Sequence, residues 1–86
     1  MSEQLRKKLM DFIDVKTKSS GKSIPDDFSD DTPLITSGLI ESLHLLELAL
    51  LLEEEVSSSF DLTILDFTVE WNTINDMVNF VDSYKS

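Results

Sequence analysis

The chain has no cysteine, one histidine, two glycines and two prolines among 86 residues. Without cysteine there is no disulfide framework, thiol nucleophile or thiolate metal ligand, and a reducing, cytoplasmic setting is the expectation. A single histidine, His44, excludes multi-histidine metal centres. Gly21 and Gly38 lie too far apart to build a glycine-rich phosphate loop. The longest apolar run is Leu48-Ala49-Leu50-Leu51-Leu52, far short of the roughly 20 residues that span a membrane. The opening Met1-Ser2-Glu3-Gln4-Leu5-Arg6-Lys7-Lys8 leads into acids rather than an apolar stretch, so no signal peptide is expected. Positive charge is scarce too. From Ser23 to Tyr84 there are fourteen acids and neither lysine nor arginine.

What is present describes one domain over residues 1–86, large enough for a single core. A hydrophobic fraction of 41% argues against disorder despite 28% charge. The formal net charge is −10, which makes nucleic acid a poor ligand because phosphate needs an electropositive face. The charge is segregated: residues 1–22 carry a net +3 from six bases and three acids. The base-free stretch from Ser23 to Tyr84 repels itself and projects a negative potential, so a basic protein partner is expected.

Leu5, Leu9, Phe12 and Ile13 recur at helical spacing and predict an amphipathic helix over 3–18, capped by Ser2 and stopped by Ser19-Ser20-Gly21. The segment 19–41 is long for a loop, and Thr32-Pro33 predicts a helical turn within it, with Thr32 as cap. Residues 42–56 form the strongest helix, with Leu45, Leu48, Ala49, Leu52 and Val56 on its core face. Phe60 to Glu70 reads as a loop and a short helix near Asp66–Glu70. Thr73-x-x-Asp76 resembles a capping box opening a last helix over 73–84, with Ile74, Met77, Val78 and Val81 inward. The expected fold is all-α, a small bundle of three longer helices and one short one.

At about 100° per residue, Leu43, Leu46 and Leu50 make a second apolar stripe on the 42–56 helix, flanked by Glu47, Glu53 and Glu54. A helix apolar on two sides is either sandwiched in the core or keeps one side for a partner. With only three main helices a sandwich is difficult to build, and unpaired glutamates are costly to bury, so a docking face is the preferred reading.

Catalytic patterns are missing. Ser42 and His44 are two apart, and such side chains do not face each other on a helix, so no serine hydrolase site is expected. His44 reads as a solvated helix residue. The cluster Asp26, Asp27, Asp30 and Asp31 fails as a calcium loop, since counting from Asp27 the sixth position is Thr32 and the twelfth Gly38. It reads as a solvated loop. Neither a catalytic residue nor a metal site is expected, and the chain does not read as an enzyme.

The string Gly38-Leu39-Ile40-Glu41-Ser42-Leu43, placed where the two-faced helix begins, resembles the signature of the acyl carrier protein family. That signature is a glycine, a short apolar step and Asp-Ser-Leu at the start of the second helix. The likeness runs through nearly the whole chain: an amphipathic first helix, a long loop with apolar anchors at Leu34 and Ile35, and a helix ending in Leu52-Glu53-Glu54-Glu55. By position alone Ser42 reads as an N-cap. The resemblance implies that it carries 4′-phosphopantetheine, attached by a phosphopantetheinyl transferase, with cargo held as a thioester on the arm. A helix N-terminus suits the phosphate. The resemblance also implies partner recognition through Glu41, Leu43, Leu46, Glu47, Leu50, Glu53 and Glu54. The implied partners are an acyl- or aminoacyl-activating ligase and acyltransferase or synthase enzymes with basic docking patches, visited by a monomer.

Three departures qualify the likeness. Glu41 replaces the usual Asp before the serine, His44 takes an often acidic position, and Phe60, Leu62, Ile64, Leu65, Phe67 and Val69 make the third-helix region unusually apolar. Trp71-Asn72-Thr73 is similar to the Trp-Asn-Thr of D-alanyl carrier proteins, which implies a specialised carrier in cell-envelope or secondary metabolism. The competing reading from another class is a non-covalent acidic helical adaptor or inhibitor that docks on a basic protein.

Overall fold

Helix α1 spans Ser2–Ser19 because Leu5, Leu9 and Ile13 fall on one line of a 3.6-residue helix, and all three are buried. Each such burial stabilises by about 1.5–3 kcal/mol relative to exposure. Thr17 continues the line, and its buried hydroxyl donates to the Ile13 carbonyl at 2.8 Å, leaving no unpaired polar group there. The helix stops at Gly21, whose φ of +74° is a left-handed conformation that glycine adopts without steric cost. There Gly21 N donates to Lys18 O at 3.1 Å and Lys22 N to Thr17 O at 2.8 Å, a Schellman pair, so the predicted stop is in place.

The computed structural model describes residues 2–85, with side chains described for 3–84. The predicted Ser2 cap therefore falls on a side chain outside the described residues. After α1 come a 3₁₀ turn at Ser42–His44 that runs directly into α2 (Leu45–Val56), then α3 (Phe67–Glu70) and α4 (Ile74–Lys85). The fold is all-α, three longer helices and a short one, with no strand among the described residues. None of those helices is long and apolar enough to cross a membrane.

Helix α4 is the element against which α1, α2 and α3 all pack. It begins where Thr73 Oγ1 accepts from Asp76 N at 3.0 Å, the predicted cap, and buries Ile74, Met77, Val78 and Val81. Helix α3 is capped by Asp66, whose carboxylate accepts from Thr68 N at 3.2 Å. Trp71 follows and is wholly buried, its ring 5.1 Å from Phe67, 5.5 Å from Phe80 and 5.9 Å from Phe60 between centroids. These edge-on and tilted contacts suit the ring quadrupoles. The indole Nε1 finds no acceptor, at a cost of about 1–3 kcal/mol that the large buried area offsets.

The long segment between α1 and α2 is docked rather than loose. Leu34, Leu39 and Ile40 are buried, Asp30 pairs with Arg6 of α1 at 2.6 Å, and Asp31 accepts from Asn75 Nδ2 of α4 at 2.6 Å. Two of the loop acids are thus tied to helices, where a solvated loop was expected. The predicted turn is present over 34–38, closed by Gly38 N to Ile35 O at 3.2 Å and by Ser37 Oγ to Pro33 O at 2.6 Å. Thr32 is not its cap. That hydroxyl faces backwards and accepts from Ser29 N at 2.8 Å, because a short Ser-Asp-Asp-Thr turn claims it first.

Candidate functional site

Ser42 is exposed and is the first residue of the turn that opens α2. Glu41 before it is extended, with φ −92° and ψ 161°, and the first helical hydrogen bond is made by His44 N to Glu41 O at 2.9 Å. The Ser42 and Leu43 amides precede that bond, so they belong to the helix end whose N–H groups have no intrahelical carbonyl. With the dipole of α2 behind them, they favour an anion attached at this point.

His44 departs from expectation. It is buried, and its Nδ1 accepts from Glu41 N at 3.4 Å. His44 stands four and eight residues before the buried Leu48 and Leu52, which brings it to the edge of the core face, and the reading of it as solvated passed over that spacing. His44 thus closes the turn from inside.

From Ser42 an apolar stripe runs along the outer face of α2. Leu43, Leu46 and Leu50 are 68%, 63% and 56% exposed, while Leu48, Ala49 and Leu52 on the opposite face are buried. Leu45 and Val56, predicted inward, are partly buried against the core. The two faces inferred from periodicity are therefore distinct in space. The acids around the stripe differ from one another. Glu47 is exposed and paired with Lys16 of α1, Glu54 is exposed, and Glu41 is half-buried. Glu53 is half-buried and accepts from Phe60 N at 2.9 Å, so it holds the chain after α2. Glu55, which the sequence reading did not assign to the face, bonds Lys8 at 2.6 Å. That hydrogen bond, and then the Glu55 charge, hold the Lys8 ammonium above lysine's ordinary range.

The loop leading to Ser42 is secured by side chains whose part the sequence reading missed. Lys22 Nζ donates to the Gly38 carbonyl, where Gly38 takes φ +84°. Asn72 Oδ1 accepts from both Ile35 N and Thr36 N at 3.0 Å. The one available signal was the Trp71-Asn72-Thr73 triplet, in which the tryptophan is core, the threonine is a cap and the asparagine bonds the loop. A polar residue between a core aromatic and a cap has a fixed place, and so can hold a distant backbone.

A cleft of about 490 Å³ between α1 and α2, floored by Phe12, Val15 and Leu51, is not lined by Ser42. Nor is a pocket of about 440 Å³ edged by Phe60, Leu65, Phe80 and Tyr84. Among the described residues no group of three or more His, Cys, Asp or Glu side chains is placed to hold a metal ion. What the Ser42 end of α2 offers is an accessible hydroxyl beside free amides, with an apolar track leading away. No protein-family model, curated protein or solved structure matches the chain.

Proposed function

We propose that the chain is a carrier protein of the acyl carrier type: Ser42 bears 4′-phosphopantetheine, and acyl or aminoacyl groups ride on the arm's thiol as thioesters. The observation that carries this reading is the exposed Ser42 at the helix end, with the Leu43, Leu46 and Leu50 stripe running directly from it. The Gly38-Leu39-Ile40-Glu41-Ser42-Leu43 string supports it from the sequence side. The absence of cysteine fits, since the arm supplies the thiol that the chain lacks.

In the attachment step the Ser42 oxygen attacks the β-phosphorus of coenzyme A. A new P–O bond forms, the pyrophosphate bond breaks, adenosine 3′,5′-bisphosphate leaves, and the hydroxyl proton passes to a base of the transferase. Ser42 needs no activating base of its own, because it is a substrate. In this reading the protein is not itself an enzyme. It is a cytoplasmic monomer that meets the transferase, an activating ligase and acyltransferases or synthases through the α2 stripe and its acidic border. Exposed ion pairs contribute only about 0–1 kcal/mol each, which suits brief, salt-sensitive encounters with several enzymes.

The test is intact mass after incubation with a broad-specificity phosphopantetheinyl transferase and coenzyme A. The expected result is a gain of one phosphopantetheine, lost in Ser42→Ala. An unchanged mass on a folded chain refutes the carrier and leaves the adaptor, which needs the exposed stripe and no modification.

A further inference from the structure

Asn72 lies between α3 and α4, far in sequence from Ser42, yet it bonds the loop that delivers the serine. Its Oδ1 takes the Ile35 and Thr36 amides at 3.0 Å each, its Nδ2 donates to Thr36 Oγ1 at 3.3 Å, and its own carbonyl takes Leu34 N at 2.6 Å. Three consecutive backbone amides thus end on one residue. The connection continues, because Leu34 O accepts from Ile40 N at 2.9 Å and so ties the two ends of the 34–40 loop together. The buried Ile40 is two residues from Ser42. On the other side Lys22 Nζ holds the Gly38 carbonyl.

We propose that Asn72 is a positioning residue for Ser42: by pinning residues 34–36 it sets where the turn bearing the hydroxyl leaves the protein, and hence how that hydroxyl is presented to the phosphopantetheinyl transferase. The inference rests on the carrier reading and adds a specific residue to it. The core contribution here comes from the buried Leu34 and Ile40 side chains, and Asn72 adds the hydrogen bonds that fix the register of the backbone between them. An asparagine suits the task because a short, planar amide offers one oxygen to two neighbouring N–H groups. Alanine leaves both without that acceptor. Aspartate keeps it.

Docking belongs to the α2 stripe, so loss of the clamp leaves KM for the carrier near its wild-type value. A misplaced nucleophile instead slows the chemical step, where displacements of about 1 Å cost up to 10²-fold.

The experiment compares wild type, Asn72→Ala, Asn72→Asp and Ile13→Val in transfer kinetics with a broad-specificity transferase and coenzyme A, at a temperature where circular dichroism shows all four folded. Hydrogen exchange of the 34–44 region is measured alongside. The expected result is kcat reduced about ten-fold in Asn72→Ala with KM held, and exchange over 34–44 faster by about the same factor. Asn72→Asp should stay within about two-fold of wild type. Ile13→Val, a core truncation in α1 that leaves every Asn72 hydrogen bond in place, should transfer at the wild-type rate. Wild-type kcat in Asn72→Ala overturns the inference while the carrier reading stands, as does an Asn72→Asp variant as slow as Asn72→Ala, or a change confined to KM. A wild-type chain that takes no phosphopantetheine removes the carrier reading and the transfer role together, and unchanged exchange in Asn72→Ala would then remove the clamp as well.

Discussion

Leu46 and Leu48 are two residues apart on α2, chemically identical, and 63% against 2% exposed. Truncating each to alanine separates the two faces of that helix by their energetics. Fully burying a leucine stabilises by about 1.5–3 kcal/mol. Leu46, with roughly a third of its surface covered, therefore contributes about 0.5–1 kcal/mol. The slightly better helix propensity of alanine returns a few tenths of that, so Leu46→Ala should cost about 0.5 kcal/mol or less. Leu48→Ala loses the whole transfer term and leaves a cavity against the wholly buried Leu52 layer, for about 2–5 kcal/mol. At this chain length the difference amounts to a melting temperature lower by roughly 10 °C or more for Leu48→Ala and by about 3 °C or less for Leu46→Ala. Urea titration followed by circular dichroism, with m-values compared to confirm a common unfolding reaction, measures both. Equal losses in the two variants would mean that α2 is enclosed on both sides, and the docking face would disappear with it.

Three further outcomes are expected. Raising sodium chloride from near zero to several tenths molar should raise the melting temperature, because fourteen acids between Ser23 and Tyr84 repel one another with no base among them; a fall would mean that the Arg6–Asp30, Lys8–Glu55 and Lys16–Glu47 pairs outweigh that repulsion. Since Glu55 raises the Lys8 pKa in the folded chain, the Lys8 contribution is complete below the unfolded lysine value and is lost as pH climbs through the higher folded one; alkaline melts of wild type and Lys8→Met should converge there, and a constant difference across that range would contradict the pairing. Gly38→Ala should cost about 1 kcal/mol through the φ of +84° alone, since a Cβ there meets nothing nearer than Lys22 Nζ at 4.0 Å; a synthetic chain with D-alanine at 38 should melt like wild type, and a loss shared by both isomers would point to crowding instead.

The helices and both faces of α2 were legible in the sequence, because each rests on a period that a single segment displays. Leu5, Leu9 and Ile13, the Gly21 stop, the Thr73 cap and the Leu43, Leu46 and Leu50 stripe all follow from spacing within fifteen residues or so. What stayed hidden depended on residues far apart. Asn72 meets Ile35 and Thr36 across the fold, Arg6 meets Asp30, and Glu53 turns from the outer face to cap Phe60 N. No periodicity encodes those meetings. His44 was misplaced for a local reason, since its spacing of four and eight residues from the buried Leu48 and Leu52 was available in the sequence and was not used. Trp71 stood out in the sequence only as part of a triplet, and its burial depends on the Phe60, Phe67 and Phe80 rings that meet it from other parts of the chain.

The sole imidazole, with Nδ1 facing the Glu41 amide, gives this protein a built-in spectroscopic sensor. Its ring resonances arise without overlap from any second histidine, and the nitrogen shifts distinguish one tautomer from the other. Whatever loosens the stretch around residue 42, a substitution, a tether or an arriving enzyme, should register there first, on unlabelled or simply nitrogen-labelled material and without adding a dye.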